Sequence, residues 1–231
     1  MTFWDHLEEL RATLIRIVVV AGVATIAAFC FKDWLFYVVM APAKMEGKGL
    51  HLISTQLTGQ FAAHVSVSVY AGLLVSSPYV IYKLFRFISP GLYQNERSMA
   101  RKLVTAGSIL FAAGVVLNYF LIFPLTYRFL AEYQVSESVV STITISSYID
   151  TLATMSLMMG AVFEMPAICW LLGKMGLLRQ TTMRHYRKHA IVIMLTVAAV
   201  ITPTSDVFTL LIVALPMILL YELSAFLVNN K

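Results

Sequence analysis

Residues 103–123 read LVTAGSILFAAGVVLNYFLIF, 21 positions without a charged side chain. A straight helix needs about 20 apolar residues, at about 1.5 Å each, to cross about 30 Å of hydrocarbon. Five more apolar runs flank it, at residues 14–31, 65–85, 148–172, 190–201 and 207–228. Run 14–31 reaches across because Arg16 can snorkel to the interface. Run 190–201 is different: as a helix its apolar part is only about 18 Å long. Either it spans a locally thinned bilayer, or it dips in with run 207–228 as a re-entrant hairpin.

Composition agrees. Hydrophobic residues make up 59% of the 231 and charged residues 13%, with mean hydropathy +0.80. Too few polar groups remain to cover a soluble fold, and a disordered chain has the opposite bias. The expected fold class is an all-α integral membrane protein. It comprises a single polytopic domain over residues 1–231 in which Pro78, Pro166 and Pro216 bend their helices. Bent helices pack into a curved, concave wall rather than a straight bundle.

The net charge of +5 follows membrane sidedness. Alternate segments hold 13 Lys and Arg on one side of the membrane and 4 on the other. The positive-inside rule places both termini and the two basic loops in the cytoplasm. With the excess explained by topology, no nucleic acid partner is expected. Asp5, Glu8 and Glu9 stand where a cleavable leader would be basic, so the N-terminus is expected to be retained.

Templates for covalent chemistry are missing. The sequence contains no G-x-x-x-x-G-K-[ST], G-x-S-x-G or H-E-x-x-H. Cys30 and Cys169 read as two small buried hydrophobes. No catalytic residue, metal or cofactor is expected. Acids in costly places are more informative. Glu164 lies eight residues inside the end of its run, about 12 Å deep, where a carboxyl usually faces a cavity or a partner. Glu222 is near enough to a helix end to reach the interface, and Asp150 suits a helix N-terminus.

Two cytoplasmic acids lack a cation at helical spacing. Residues 3–11 read as an amphipathic helix with Phe3, Leu7, Leu10 and Leu14 on its apolar face. Glu8 has Arg11 at i+3 and can pair with it, whereas Glu9 has only Ala12 and Thr13 at i+3 and i+4. Glu96, if helical, is surrounded by Leu92, Tyr93, Met99 and Ala100. Spacing alone leaves two readings: solvated surface charges, or a receiving site for a cationic ligand.

At these residues the chain resembles the TatC family, the receptor subunits of the twin-arginine protein translocase. His6-Leu7-Glu8-Glu9-Leu10-Arg11 matches the family's H-L-x-E-L-R opening. Phe87-Ile88-Ser89-Pro90-Gly91-Leu92-Tyr93 with Glu96-Arg97 matches its first cytoplasmic loop. Phe163-Glu164-Met165-Pro166 resembles F-E-x-P of the fourth helix. Thr202-Pro203 with Asp206 resembles the turn between the last two helices, and Ala41-Pro42 the first outer loop.

The resemblance implies six transmembrane helices, the last two short and spanning. It implies that Glu9 and Glu96 take the paired arginines of a signal peptide, with Phe87, Tyr93, Arg11 and Pro90 around them. Each guanidinium can dock a carboxylate bidentately, which an ammonium cannot reproduce. Glu164, Thr202 and Thr209 are implied as cavity or partner contacts, and Pro42, Pro166, Pro203 and Asp206 as structural positions. Implied partners are twin-arginine precursors, TatA- and TatB-type single-span subunits and further copies of the chain. The implied setting is the bacterial inner membrane, with the proton-motive force as the energy source.

Lys83 departs from the pattern, standing where better-known members carry glutamine; it can tune or oppose arginine binding, or pair with an acid. Thr209 followed by Leu210 is a second departure. Two other function classes are weighed: a proton-coupled small-solute transporter using Glu164, and an assembly factor or insertase. The first usually shows repeats with broken helices at matching positions, and no repeat is evident.

Overall fold

The computed structural model describes residues 3–45, 52–88, 97–133, 142–202 and 206–228. It is an all-α membrane fold. Five helical stretches are long and apolar enough to cross a bilayer: Leu7–Phe29, Gly59–Phe87, Arg101–Glu132, Ile145–Lys174 and Val207–Leu227. By contact density the chain falls into two compact units, Met1–Ala41 with Ser54–Ile109, and Pro42–Ile53 with Leu110–Lys231.

The first unit is built on α1 (Phe3–Phe29) and α3 (Gly59–Ile88), with α2 (Lys32–Met45) entering it from α1. The expected amphipathic N-terminal helix and first span are one continuous helix of 27 residues. Nothing between Leu10 and Leu14 breaks helical geometry, so the interfacial and spanning parts fuse. α1 packs along α3, and the close approach is at Gly72: a Cβ there would lie 2.6 Å from Thr25 N and 2.7 Å from Thr25 Cα. Lacking a hydrophobic drive between helices in lipid, such pairs gain from backbone proximity that only a small residue permits. Near the other end of the pair, the buried His64 ring stacks on Phe29 at 4.1 Å between centroids. Pro78 has no N–H to give Leu74 O, and the Ser77 hydroxyl donates to that carbonyl instead at 2.7 Å. The helix therefore continues through the proline.

α4 (Arg97–Leu117), of which only the part from Leu110 belongs to the second unit, continues through a π-helical turn, Asn118–Ile122, into α5 (Phe123–Glu132). Run 103–123 is thus part of a longer helical stretch, and Pro124, the residue just beyond the run, lies inside it. The wide turn makes this possible: Phe123 N–H donates five residues back to Asn118 O, and Pro124 falls at the start of α5, where its missing N–H costs little. The Asn118 side chain, fully buried, donates to Ser156 Oγ at 2.9 Å. Ser156 is on α6 (Ile145–Phe163), which approaches α4 closely enough that a Cβ on Gly114 would lie 2.6 Å from Met159 O.

The expected single helix 148–172 is two, α6 and α7 (Met165–Lys174). Pro166 cannot donate to the preceding turn, so the break falls at Glu164. Asp150 does not cap this segment; Thr144 does, its Oγ1 accepting from Ser147 N at 3.2 Å, because α6 starts earlier than the apolar run. α8 (Gln180–His185), absent from the sequence reading, leads into α9 (Arg187–Ile201) and α10 (Val207–Leu227). α9 has 15 residues, about 22 Å. Tyr221 OH donates to Met183 O at 2.8 Å, and Arg187 Nε lies 2.6 Å from Glu222 Oε1. Glu222 therefore ties α10 to the start of α9.

Asp206 caps α10, with Oδ1 accepting from Thr209 N at 2.6 Å. Asp206→Ala is expected to cost about 1 kcal/mol of stability through the lost cap. The readout is the thermal unfolding midpoint in detergent; an unchanged midpoint would show that the cap contributes nothing.

Candidate functional site

Glu9 sits in the second turn of α1, exposed, with no ion-pair partner among the described residues. Glu8 and Arg11 are also exposed, and the pair expected between them at i+3 is not formed. Water solvates both charges at this helix surface, so an i+3 contact gains only a few tenths of a kcal/mol, roughly, against side-chain entropy. Where does Glu9 lie relative to α3? Thr25 faces Gly72, and the helices run antiparallel, so equal steps set Glu9 level with Ile88 in the last turn of α3. That turn carries Phe87, half-buried. The fold thus brings Glu9 and Phe87 to one end of the α1–α3 pair. Pro90, Tyr93 and Glu96 lie outside the described residues.

The same end of α3 carries an arrangement that the sequence reading missed. Lys83 Nζ lies 5.4 Å from the Tyr79 ring centroid and 5.7 Å from that of Tyr82. Arg86 Nη1 donates to Tyr82 OH at 3.4 Å. The pairing with an acid considered for Lys83 is not formed among the described residues; its ammonium faces aromatic rings instead. The i, i+4 spacing of Tyr79 and Lys83 was the available signal.

Glu164 is buried at the α6–α7 break, and neither carboxyl oxygen has a hydrogen-bond partner among the described residues. Pro166 is buried two residues on. Thr202 is also buried, but its hydroxyl is satisfied by Ala198 O at 3.0 Å, closing the C-terminus of α9. It is a helix-end residue rather than a group offered to a ligand. Thr209 is fully buried, and its Oγ1 has no partner among the described residues. Pro42 is buried within α2, and Pro203 lies outside the described residues. Among the described residues no group of three or more His, Cys, Asp or Glu could hold a metal ion.

An all-helical chain with five stretches able to cross a bilayer belongs to the polytopic integral membrane proteins. Comparison narrows this. The family profile described as Sec-independent protein translocase protein (TatC) matches residues 5–216. The TatC protein of Desulforapulum autotrophicum is 35% identical over 96% of this chain and 82% of its own length. That of Deinococcus radiodurans is 34% identical over 95% and 83%. Two crystal structures of the twin arginine translocase receptor TatC, each 30% identical, superpose with TM-scores of 0.85 and 0.87. They cover 96% and 97% of this chain, and 97% and 100% of their own.

The chain belongs to the TatC family of Sec-independent protein translocase proteins.

Proposed function

We propose that this chain is the signal-peptide receptor and scaffold of a twin-arginine translocase, holding the two arginines of a leader on Glu9 and Glu96. The observation that carries the reading is Glu9 itself: an exposed carboxylate in the matched opening motif, without a counterion among the described residues, level with the turn that holds Phe87. Tyr93 and Pro90 are assigned to the same site by the family motif, and Arg11 lies two residues after Glu9 in the opening motif.

In this reading six helices span an inner membrane, α9 and α10 included, with both termini cytoplasmic. A 22 Å helix, roughly, requires the bilayer to thin around it. Glu164 and Thr209 are buried polar groups whose side-chain oxygens have no partner among the described residues, which suits contacts with the signal peptide or with the single helices of TatA- and TatB-type subunits. Copies of the chain associate in the working complex, and the proton-motive force drives passage of folded cargo. Pro42, Pro166, Pro203 and Asp206 shape the scaffold.

Photocrosslinking tests the placement. A twin-arginine precursor is expected to crosslink from positions beside Glu9 and Glu96, and signal peptide or partner helix from position 164. Crosslinks absent from the first two positions, with the precursor otherwise bound, would overturn the site.

A further inference from the structure

Lys83 is half-buried near the end of α3, and its ammonium faces two tyrosine rings rather than a carboxylate. No acid pairs with it among the described residues. Ring faces attract a cation without cancelling its charge. Arg86, one turn on, adds a second cation bonded to the same Tyr82, and Arg11 and Arg16 are exposed on α1. The cations at this end of the α1–α3 pair thus stand beside Glu8 and Glu9, with Asp5 earlier in α1.

The helix register places Lys83 relative to the proposed arginine site. With Thr25 opposite Gly72, Lys83 is level with Leu14, five residues further along α1 than Glu9. That is about 7 Å toward the middle of the span. An extended peptide advances about 3.3 Å per residue, so a leader whose arginine is held at Glu9 reaches the Lys83 level about two residues later. Its apolar segment must run in this direction to leave water.

We propose that Lys83 is a specificity-determining residue that discriminates against leaders carrying a basic residue two or three positions after the arginine pair. This rests on the receptor reading above. The filter is electrostatic: an incoming ammonium meets the Lys83 charge, which lies over the Tyr79 and Tyr82 rings, whereas an amide or an acid does not experience that repulsion.

The test uses synthetic twin-arginine leader peptides that carry Lys, Gln or Glu at the second or third position after the pair. Binding to the full chain in phosphatidylcholine nanodiscs is measured at low and at high salt. The wild-type chain is expected to bind the Gln peptide about fivefold more tightly than the Lys peptide at low salt, a like-charge effect at partly screened distance. Lys83→Gln is expected to bring the two affinities together, and Lys83→Arg to retain the difference. Added salt should shrink it. A Lys-to-Gln ratio that is the same in wild type and Lys83→Gln overturns the filter. Peptides with two lysines in place of the arginines report separately on the receptor reading: if they bind as well as the arginine pair, that reading fails and the filter falls with it.

Discussion

Glu9→Ala and Glu96→Ala are each expected to stop export of a twin-arginine precursor while the chain remains inserted in the membrane. A bidentate guanidinium–carboxylate contact is a charge-assisted pair, and hydrogen bonds to charged groups contribute roughly 1.5–3 kcal/mol. Losing one lowers leader affinity about 10- to 100-fold, and more weakly where solvent competes. Structural damage is not the cause in the case of Glu9, because its side chain is exposed and no described residue pairs with it. Glu9→Gln separates charge from shape: it keeps the helix surface and removes the carboxylate, and should fail as Glu9→Ala does. Precursor appearing outside at the wild-type rate in both alanine variants would refute the two-acid site. Loss of the chain from the membrane fraction would instead assign these acids to folding, which also counts against the proposal.

The second large effect concerns the α1–α3 crossing. Gly72→Ala puts a Cβ 2.6 Å from Thr25 N and 2.7 Å from its Cα, and backbone atoms cannot swing aside as a side-chain tip can. The two helices must separate, at an overpacking cost of about 1–3 kcal/mol, and Gly72→Leu should cost more. Gly22, on α1 itself, is the matched control: nothing lies within 4 Å of a Cβ built there. Gly22→Ala should be neutral or stabilising, since a helical glycine costs up to about 1 kcal/mol relative to alanine. Thermal unfolding of the purified variants reads the contrast. If both alanines shift the midpoint alike, the close approach at Gly72 is not what holds the pair. Because the same crossing sets Glu9 level with the end of α3, Gly72→Leu is also expected to weaken leader binding without touching either acid.

These two results rest on different kinds of information. The acids were identifiable in the chain alone, from their spacing and from the ordered motifs around them. Gly72 was not: a glycine within an apolar run carries no mark that distinguishes it from Gly22, and only the facing backbone of Thr25 separates them. Lys83 falls between the two cases. Its departure from the family pattern was readable, and so was the tyrosine four residues before it, but which neighbour it chooses depends on side-chain geometry. The extension of the third helical stretch through Pro124 was hidden because a proline normally argues for an end; the π turn that accommodates it forms where Asn118 finds Ser156 on another helix. Likewise the merging of the N-terminal amphipathic segment with the first span follows from continuous helix-forming residues, although its change of character at the interface suggested a joint.

What the amino-acid order by itself determined is five apolar stretches long enough to cross a bilayer and the uneven count of cations in the segments between them, because apolar length and charge content are local properties of a segment. It also supplied the two carboxylates without helical counterions. The tertiary structure alone decided which helix faces meet, and hence that Glu9 stands level with the last turn of α3, that Glu164 is enclosed without a donor among the described residues and that Thr202 is consumed by its own helix end. Helix contacts in a bilayer are selected by close packing and polar satisfaction between distant segments, and hydropathy, which is spent on entering the membrane, says nothing about either.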